Sequence, residues 1–232
     1  MNYLSVFILF MTAGVFYPKE NTRTYHVKRT SKDIAITGKG DAPQWAGASV
    51  LSDFSYPWED GQQPSPTSFK ALHNEHWLYC LFEVQDNNVN IYTNKHEKKE
   101  VISSDRAEIF FKIDDQLTPY YCLEIDPSGR VLDYIGEHYR KFDFQWSWPA
   151  GGLIVKTHLT RQGYSIELAI SKQSLTSLGL LKNNTLQAGL YRADCVALAG
   201  EEATFKWISW IKPQSETPDF HIASSFGVLK LE

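Results

Sequence analysis

The chain has 232 residues, of which 43% are hydrophobic and 22% are charged, a composition typical of a soluble globular protein with one sizeable core. Its formal net charge of −4 excludes the basic surface that binding to nucleic acid or to an anionic membrane requires. Aromatic residues reach 14%, a content high enough to suggest that some rings serve a purpose besides filling the core.

The first apolar segment runs from Leu4 to Met11 and is followed by the small residues 12–14. This order resembles the hydrophobic region and cleavage site of a secretory signal, although no lysine or arginine precedes it. A buried first strand is the alternative, and the segment is too short to span a bilayer. We therefore predict a signal over residues 1–14, an N-terminal lead-in over residues 15–33, and a secreted or periplasmic protein.

The rest of the chain consists of short segments that alternate between apolar and polar residues or are rich in β-branched and aromatic residues, separated by Gly, Pro, Asn and Asp. The turn sequences DPSG and RQG predict hairpins. Only residues 171–180 have a helical pattern, with Ser171 as the N-cap and Gly179 near the end. The nine predicted strands are His76–Asp86, Arg106–Asp114, Tyr120–Gly129, Arg130–Gly136, Leu153–Gln162, Tyr164–Ser171, Leu186–Leu198, Thr204–Trp210 and Phe226–Glu232.

This many short strands predicts an all-β fold, a jelly-roll-like β-sandwich of two antiparallel sheets with one short helix, formed as one domain by residues 34–232. Cys80, Cys122 and Cys195 each lie in an apolar strand, and their spacing matches no zinc or redox motif. We interpret them as buried free thiols, with a single disulfide as the alternative.

Several segments, taken in chain order, resemble the family 9 carbohydrate-binding modules. They include ITGKGDAPQWAGA (36–48), HWLYCLFEVQD (76–86), SSDRAEIFFKID (103–114) and GYSIELAIS (163–171), and the closing ISW…FGVLKL. The resemblance implies a sandwich of two antiparallel sheets that binds sugar without cleaving it, often with structural calcium. Where the family stacks a sugar between two tryptophans, this chain has Ile102 at one position and Phe220 at the other.

Polar side chains alternate along three of the predicted strands. Arg106 and Glu108 share one strand face, Glu124 lies on the next strand, and Arg192 and Asp194 share a face of a later strand. If these strands are neighbours, the five side chains line one polar sheet face, where charged groups would bind sugar hydroxyls in pairs. A salt-bridged face exposed to solvent is the alternative.

Aromatic residues in loops are the second part of the predicted site, because a ring can cover the apolar face of a sugar. Trp58 follows a proline and precedes two acids, and Trp146 and Trp148 alternate along an extended segment. Phe220 and His221, in the sequence PDFH, complete the predicted ligand-binding residues. The tryptophans expected to pack in the interior are Trp45, Trp77 and Trp207.

Catalysis has less support in the sequence. A glycoside hydrolase that cleaves O-glycosyl bonds needs two carboxylates, and Glu108, Glu124 and Asp194 are the candidates, but no spacing singles out a pair. No nucleophile elbow of the G-x-S-x-G type and no H-x-x-x-H metal motif is present. We therefore predict no catalytic residues.

Carboxylates that follow predicted strands could hold structural calcium, although no complete calcium-binding loop is present. These residues are Asp86, Asp114, Asp115 and Asp126. The sequence thus favours a monomeric protein that binds oligosaccharide or polysaccharide and supports polysaccharide capture and breakdown. A glycoside hydrolase and a structural sandwich that binds a protein partner are the alternatives.

Overall fold

A computed structural model describes residues 23–232, and the predicted signal lies outside the described residues. The described part is an all-β structure with one short helix, α1 (Lys172–Ser177), which confirms the predicted class. The strands are β1 (Thr24–Arg29), β2 (Thr67–His73), β3 (Trp77–Gln85), β4 (Arg106–Lys112), β5 (Tyr120–Ile125), β6 (Val131–Glu137), β7 (Lys141–Asp143), β8 (Leu153–Thr160), β9 (Gly163–Ser171), β10 (Thr185–Ala199), β11 (Glu202–Ser209) and β12 (Gly227–Leu231).

The strands form one continuous hydrogen-bonded series in the order β7-β6-β5-β4-β10-β12-β1-β2-β3-β9-β8, with β11 also paired to β10. Strand β1 joins the two halves, because residues 24–27 pair with β12 and residues 28–29 pair with β2. Both of these pairings are parallel, whereas the other strand pairings are antiparallel. The prediction of two separate, wholly antiparallel sheets therefore does not describe these pairings.

The two halves of the series contribute side chains to the same main core. Phe69 and Phe82 come from β2 and β3, whereas Ile109 and Leu190 come from β4 and β10, and none of the four is exposed to solvent. The joining strand β1 contributes Val27 to the same cluster. Burial of this apolar surface is the main stabilising contribution to such a fold.

The opposite face of β4, β5 and β10 is also covered. Phe110, Tyr120 and Tyr191 point to this face and are buried in a second apolar cluster. The chain between β11 and β12 supplies Phe220 and Phe226 to this cluster. The polar residues that alternate with core residues on β4 and β5 are consequently enclosed rather than exposed.

Each of the nine predicted strands overlaps an observed strand, whereas β1, β2 and β7 were not predicted. The predicted helix is present, and the side chain of Ser171 accepts a hydrogen bond from the backbone N–H of Ser174. None of the helices in residues 23–232 is long and apolar enough to cross a membrane. All three cysteines are free and buried, as predicted.

A buried carboxylate fixes the segment 36–48 against the sheet. Glu167 on β9 has no exposed surface, and its oxygens accept hydrogen bonds from Trp45 Nε1 (2.8 Å), the backbone N–H of Thr37 (2.8 Å) and that of Gly38 (2.7 Å). Gly38 has a φ of +86°, and a Cβ at this position would lie within 2.7 Å of the backbone of Thr157. Only glycine fits this close approach.

Replacing Glu167 by glutamine is expected to lower the free energy of unfolding by about 2–3 kcal/mol, because a charged acceptor of several N–H groups is lost in the interior. Urea denaturation would measure the change. Glu83→Gln on the neighbouring strand is the control, since Glu83 is half exposed and contacts only Lys70, by an ion pair, and Ser68, by a long hydrogen bond, among the described residues. Its effect should stay below about 1 kcal/mol, and equal effects of the two substitutions would contradict the assigned role of Glu167.

Candidate functional site

A cavity of about 70 Å³ lies beside the outer face of β4 and β5. Six of the ten predicted ligand-binding residues line it, and these are Trp58, Arg106, Glu108, Glu124, Phe220 and His221. Four further residues that were not predicted complete the lining: Arg140, Trp207, Pro218 and Asp219. Residues from widely separated parts of the sequence thus meet at this cavity.

The strand register brings the polar residues of the cavity together. Glu108 on β4 lies directly opposite Glu124 on β5, and Arg106 lies two residues before Glu108 on the same face. The Nε atom of Arg106 is 2.8 Å from Glu108 Oε1 and 2.6 Å from Glu124 Oε2. Its guanidinium group also lies over the rings of Phe205 and Trp207, with 5.0 and 5.6 Å to the ring centroids.

These three side chains are buried, and each leaves a polar atom without a hydrogen bond. These atoms are Arg106 Nε, Glu108 Oε1 and Glu124 Oε2. They are in ion-pair contact with one another, but the geometry of these contacts is not that of a hydrogen bond. Other atoms of the same groups are fixed, since Glu124 Oε1 accepts from Tyr134 Oη (2.7 Å) and Arg106 Nη1 donates to the carbonyl of Ile102 (2.9 Å). Buried polar atoms rarely lack hydrogen bonds, so a polar ligand could complete the hydrogen bonding of this ion-paired cluster.

Burial, and to a smaller extent the negative charge of Glu124, raises the pKa of Glu108 to about 8, whereas Arg106 opposes both effects. The protonated form of Glu108 is therefore favoured near neutral pH. Two carboxyl groups and a guanidinium group lie side by side. Together they both donate and accept hydrogen bonds, as recognition of hydroxyl groups requires.

His221 presents an uncharged ring to the cavity. Its Nδ1 lies 2.9 Å from Tyr120 Oη, and its ring stacks on Phe110 with 5.4 Å between centroids and 25° between planes. Burial lowers the pKa of His221 to about 4, with a smaller contribution in the same direction from Arg140. Among residues 23–232 its Nε2 has no hydrogen-bond partner, so it remains available to a ligand.

Phe220 forms a wall of the cavity and not an open platform, because only 6% of it is exposed. Its ring stacks on Tyr191, with 4.1 Å between centroids and 13° between planes, and contacts Trp58 at 5.3 Å. Trp58 is half-buried and donates its Nε1 hydrogen to the carbonyl of Ser215 (3.0 Å). Of these two rings, Trp58 is the one with surface available for a sugar.

Asp219 links three other residues at the rim of the cavity. It accepts hydrogen bonds from Tyr139 Oη (2.8 Å) and from the backbone N–H of His221 (2.9 Å), and it lies 3.8 Å from Arg140 Nη2. No sequence motif marks Arg140, which comes from the turn between β6 and β7. Trp207 was expected in the core because it shares a strand face with Phe205, but that face is directed to the cavity.

Two predicted polar residues lie on the opposite face of the sheet. The register between β4 and β10 aligns Arg106 with Ala193, so that Arg192 pairs with Ala107 and points into the interior. Arg192 has no exposed surface, and its Nη2 lies 2.9 Å from both Asp86 and Asp194. The prediction that Arg192 and Asp194 share a face with Arg106, Glu108 and Glu124 is therefore wrong.

Trp146 and Trp148 also lie away from the cavity and pack in the main core. Only 7% of Trp148 is exposed, and its Nε1 donates to Ser174 Oγ (3.1 Å). Trp146 packs against Tyr121, with 5.4 Å between ring centroids. The expectation that Trp148 is displayed to a ligand is wrong, because the segment between β7 and β8 turns it inward, whereas Trp146 is partly buried against the same core.

A second cluster contains the donors that a calcium ion prefers. Carboxylate oxygens of Asp86, Asp105 and Asp194 lie within 4.8 Å of one another. Arg192 compensates one of the three negative charges, and burial raises the pKa of Asp105 to about 7. When Asp105 is ionised, two negative charges remain uncompensated, so the cluster fits a divalent cation.

The other predicted calcium ligands are engaged elsewhere. Asp126 accepts hydrogen bonds from Ser128 and Arg130, and Asp115 pairs with Lys112. Asp114 accepts from the backbone of Gln116. In the part of the chain that the structure describes, Asp86 alone of the four predicted acids belongs to a carboxylate cluster.

Comparison with known proteins places the chain among sugar-binding modules. Exoglucanase XynX of Acetivibrio thermocellus is 30% identical over 122 residues, which make up 52% of this chain, and the chain spans only 10% of that protein. A candidate carbohydrate-binding protein from Bacteroides uniformis shares the fold with a TM-score of 0.69 and 18% identity, over 91% of this chain and 100% of the other.

Two structures of a family 9 carbohydrate-binding module from Caldicellulosiruptor kristjanssonii, in complex with cellotriose and with glucose, also share the fold. Their TM-scores are 0.57 and 0.56 at 18% identity, and they cover 90% of this chain and 94% and 96% of the module. The model of the family described as carbohydrate family 9 binding domain-like matches residues 36–232. The chain therefore belongs to this family, which confirms the carbohydrate binding predicted from the sequence.

Proposed function

We propose that this protein binds saccharides without cleaving them and that the cavity beside β4 and β5 receives one edge of a sugar unit. The observation that carries the proposal is the buried polar cluster of Arg106, Glu108 and Glu124, whose ion-paired atoms do not form hydrogen bonds with one another. Sugar hydroxyls would complete the hydrogen bonding of these groups. The apolar face of the sugar would lie on the exposed part of Trp58.

Glucose and cello-oligosaccharides are the first ligands to test, since the related module from Caldicellulosiruptor kristjanssonii forms complexes with glucose and cellotriose. The cavity of this chain is small, so the remainder of the sugar unit would extend outward over Trp58 and Trp207.

The arrangement of the acids favours binding over hydrolysis. Glu108 and Glu124 converge on the same nitrogen of Arg106, so a glycosidic bond has no place between them. Asp194, the third candidate acid, points to the opposite face of the sheet. A glycoside hydrolase remains the alternative, and released product after incubation with oligosaccharides would establish it.

The proposed role is the capture of polysaccharide outside the cytoplasm, in support of its breakdown by separate enzymes. Family membership and the signal predicted over residues 1–14 support this location. We propose that the continuous strand series curls into two layers, so that the scaffold is a jelly-roll-like sandwich. We also propose that the protein is a monomer.

Isothermal titration against a panel of neutral oligosaccharides tests the function. Trp58→Ala should weaken binding about threefold to tenfold, because a stacked ring contributes roughly 0.5–1.5 kcal/mol beyond its buried area. Trp77→Ala is the matched control, since Trp77 packs in a separate cluster. Failure of the wild-type protein to bind any saccharide in the panel would refute the proposed function.

We also propose calcium as a structural ligand of Asp86, Asp105 and Asp194. Saturating calcium should raise the melting temperature by about 5–10 °C relative to a chelator, because ligand at 100 times its Kd adds roughly 2.7 kcal/mol of stability. Asp105→Asn should abolish the shift, whereas Asp114→Asn should preserve it. A melting temperature that calcium leaves unchanged would exclude the ion from this cluster.

A further inference from the structure

A groove of about 320 Å³ lies beside the cavity. Its lining residues are Trp58, Glu59, Phe205, Trp207, Glu216, Thr217 and Pro218. Trp58, Trp207 and Pro218 also line the cavity, so the two spaces are neighbours that share these walls. A ligand held in the cavity would therefore continue into the groove.

Three half-buried rings form the surface of the groove. Phe205 and Trp207 lie 5.2 Å apart with 35° between their planes, and the guanidinium group of Arg106 lies over both. Trp58 is held by its hydrogen bond to Ser215. Because other contacts already fix these rings, the surface that a first sugar unit leaves uncovered, which includes Phe205, offers a preformed platform for the C–H face of a second sugar unit.

The groove carries an uncompensated negative charge. Glu216 is exposed and has no ion pair within the described range 23–232. Glu59, the other acid of the groove, lies 3.2 Å from Lys206 Nζ and is compensated by it. A carboxylate beside aromatic faces attracts cations and repels anions.

We propose that this groove is a second sugar subsite that selects its occupant by charge. It binds an amine-bearing unit more tightly than a neutral one and a neutral unit more tightly than a uronic acid. The inference rests on the proposed function, because a first unit must be docked at Arg106, Glu108 and Glu124. These three side chains are more than nine-tenths buried, and their ion-paired atoms lack hydrogen bonds, which marks that docking point independently of the groove.

The test uses disaccharides that share one glucose unit and differ in the other, which is glucose, glucosamine or glucuronic acid. Both orders of the two units are titrated, because either end of the disaccharide could enter the cavity. At low ionic strength, Kd should be about threefold to fivefold lower for the glucosamine disaccharide than for the neutral one. It should be higher by the same factor for the glucuronic acid disaccharide, which is the effect of a single exposed charge pair. High salt should reduce these differences.

Glu216→Gln should bring the three Kd values within about twofold of one another, because it removes the charge that distinguishes the three disaccharides. Glu75→Gln is the matched control, an exposed acid in the turn between β2 and β3, and should preserve the order. Equal affinities for all three disaccharides in the wild-type protein would overturn the charge selection but leave the proposed function standing. Absence of binding to every saccharide would overturn both.

Discussion

Replacing Arg106 by lysine is expected to weaken saccharide binding about tenfold to hundredfold while the chain stays folded. Hydrogen bonds to charged groups are each worth roughly 1.5–3 kcal/mol, and the guanidinium group contacts both Glu108 and Glu124. A lysine ammonium group keeps the charge. It lacks the planar fork and cannot hold the two carboxyl groups in their present positions.

Titration calorimetry would measure the loss of affinity, and circular dichroism would verify that the variant is folded. Arg130→Lys is the matched control, since Arg130 is also largely buried and pairs with Asp126 and Glu100, away from the cavity. If Arg106→Lys binds saccharide as tightly as Arg130→Lys does, the cavity is not the binding site.

Replacing Arg192 by methionine is expected to lower the free energy of unfolding by about 3–5 kcal/mol, because it leaves buried carboxylates without their partner. Arg192 is fully buried and contacts Asp86 and Asp194, with Asp105 nearby. Saccharide affinity of the folded fraction should not change, since these side chains face away from the cavity. Arg161→Met, in the exposed turn between β8 and β9, is the control and should change stability by less than about 0.5 kcal/mol.

The loss of stability caused by Arg192→Met should be larger at high pH than at low pH. Burial raises the pKa of Asp105 to about 7, above the value of about 3.9 expected in the unfolded chain. A proton on Asp105 is therefore bound more tightly in the folded state, so its contribution to stability is complete below pH 4 and is lost as the pH rises through 7. Denaturation at pH 5 and pH 8 should show the larger deficit of Arg192→Met at pH 8, and a deficit independent of pH would contradict this account.

Local sequence was sufficient to predict the elements that alternate clearly. Strands β4 and β5 were found because their apolar residues recur every second position, and the same alternation placed Arg106, Glu108 and Glu124 together on the other face. Strands β1 and β2 were not predicted, although more buried and less buried positions alternate along part of each. These strands depend on partners that are distant in the sequence.

The same reasoning explains which site residues were misplaced. Alternation shows which residues of one strand share a face. It does not show how that strand is aligned with its neighbour, and a shift of one residue in this register exchanges the two faces. Arg192 therefore points into the interior, although it was predicted on the same sheet face as Arg106. Loop residues have no period at all, and Trp146 and Trp148 could not be distinguished from Trp58 by sequence.

The amino-acid sequence by itself determined the all-β class, the family resemblance and the polar residues of β4 and β5, because these depend on short-range periodicity and on ordered motifs. Only the tertiary structure decided that Trp207, Arg140 and His221 meet at one cavity and that a charged groove adjoins it. Those positions depend on strand register and on the return of the chain between β11 and β12 over the sheet. Contacts of that kind join residues far apart in the chain, so they become visible only after folding.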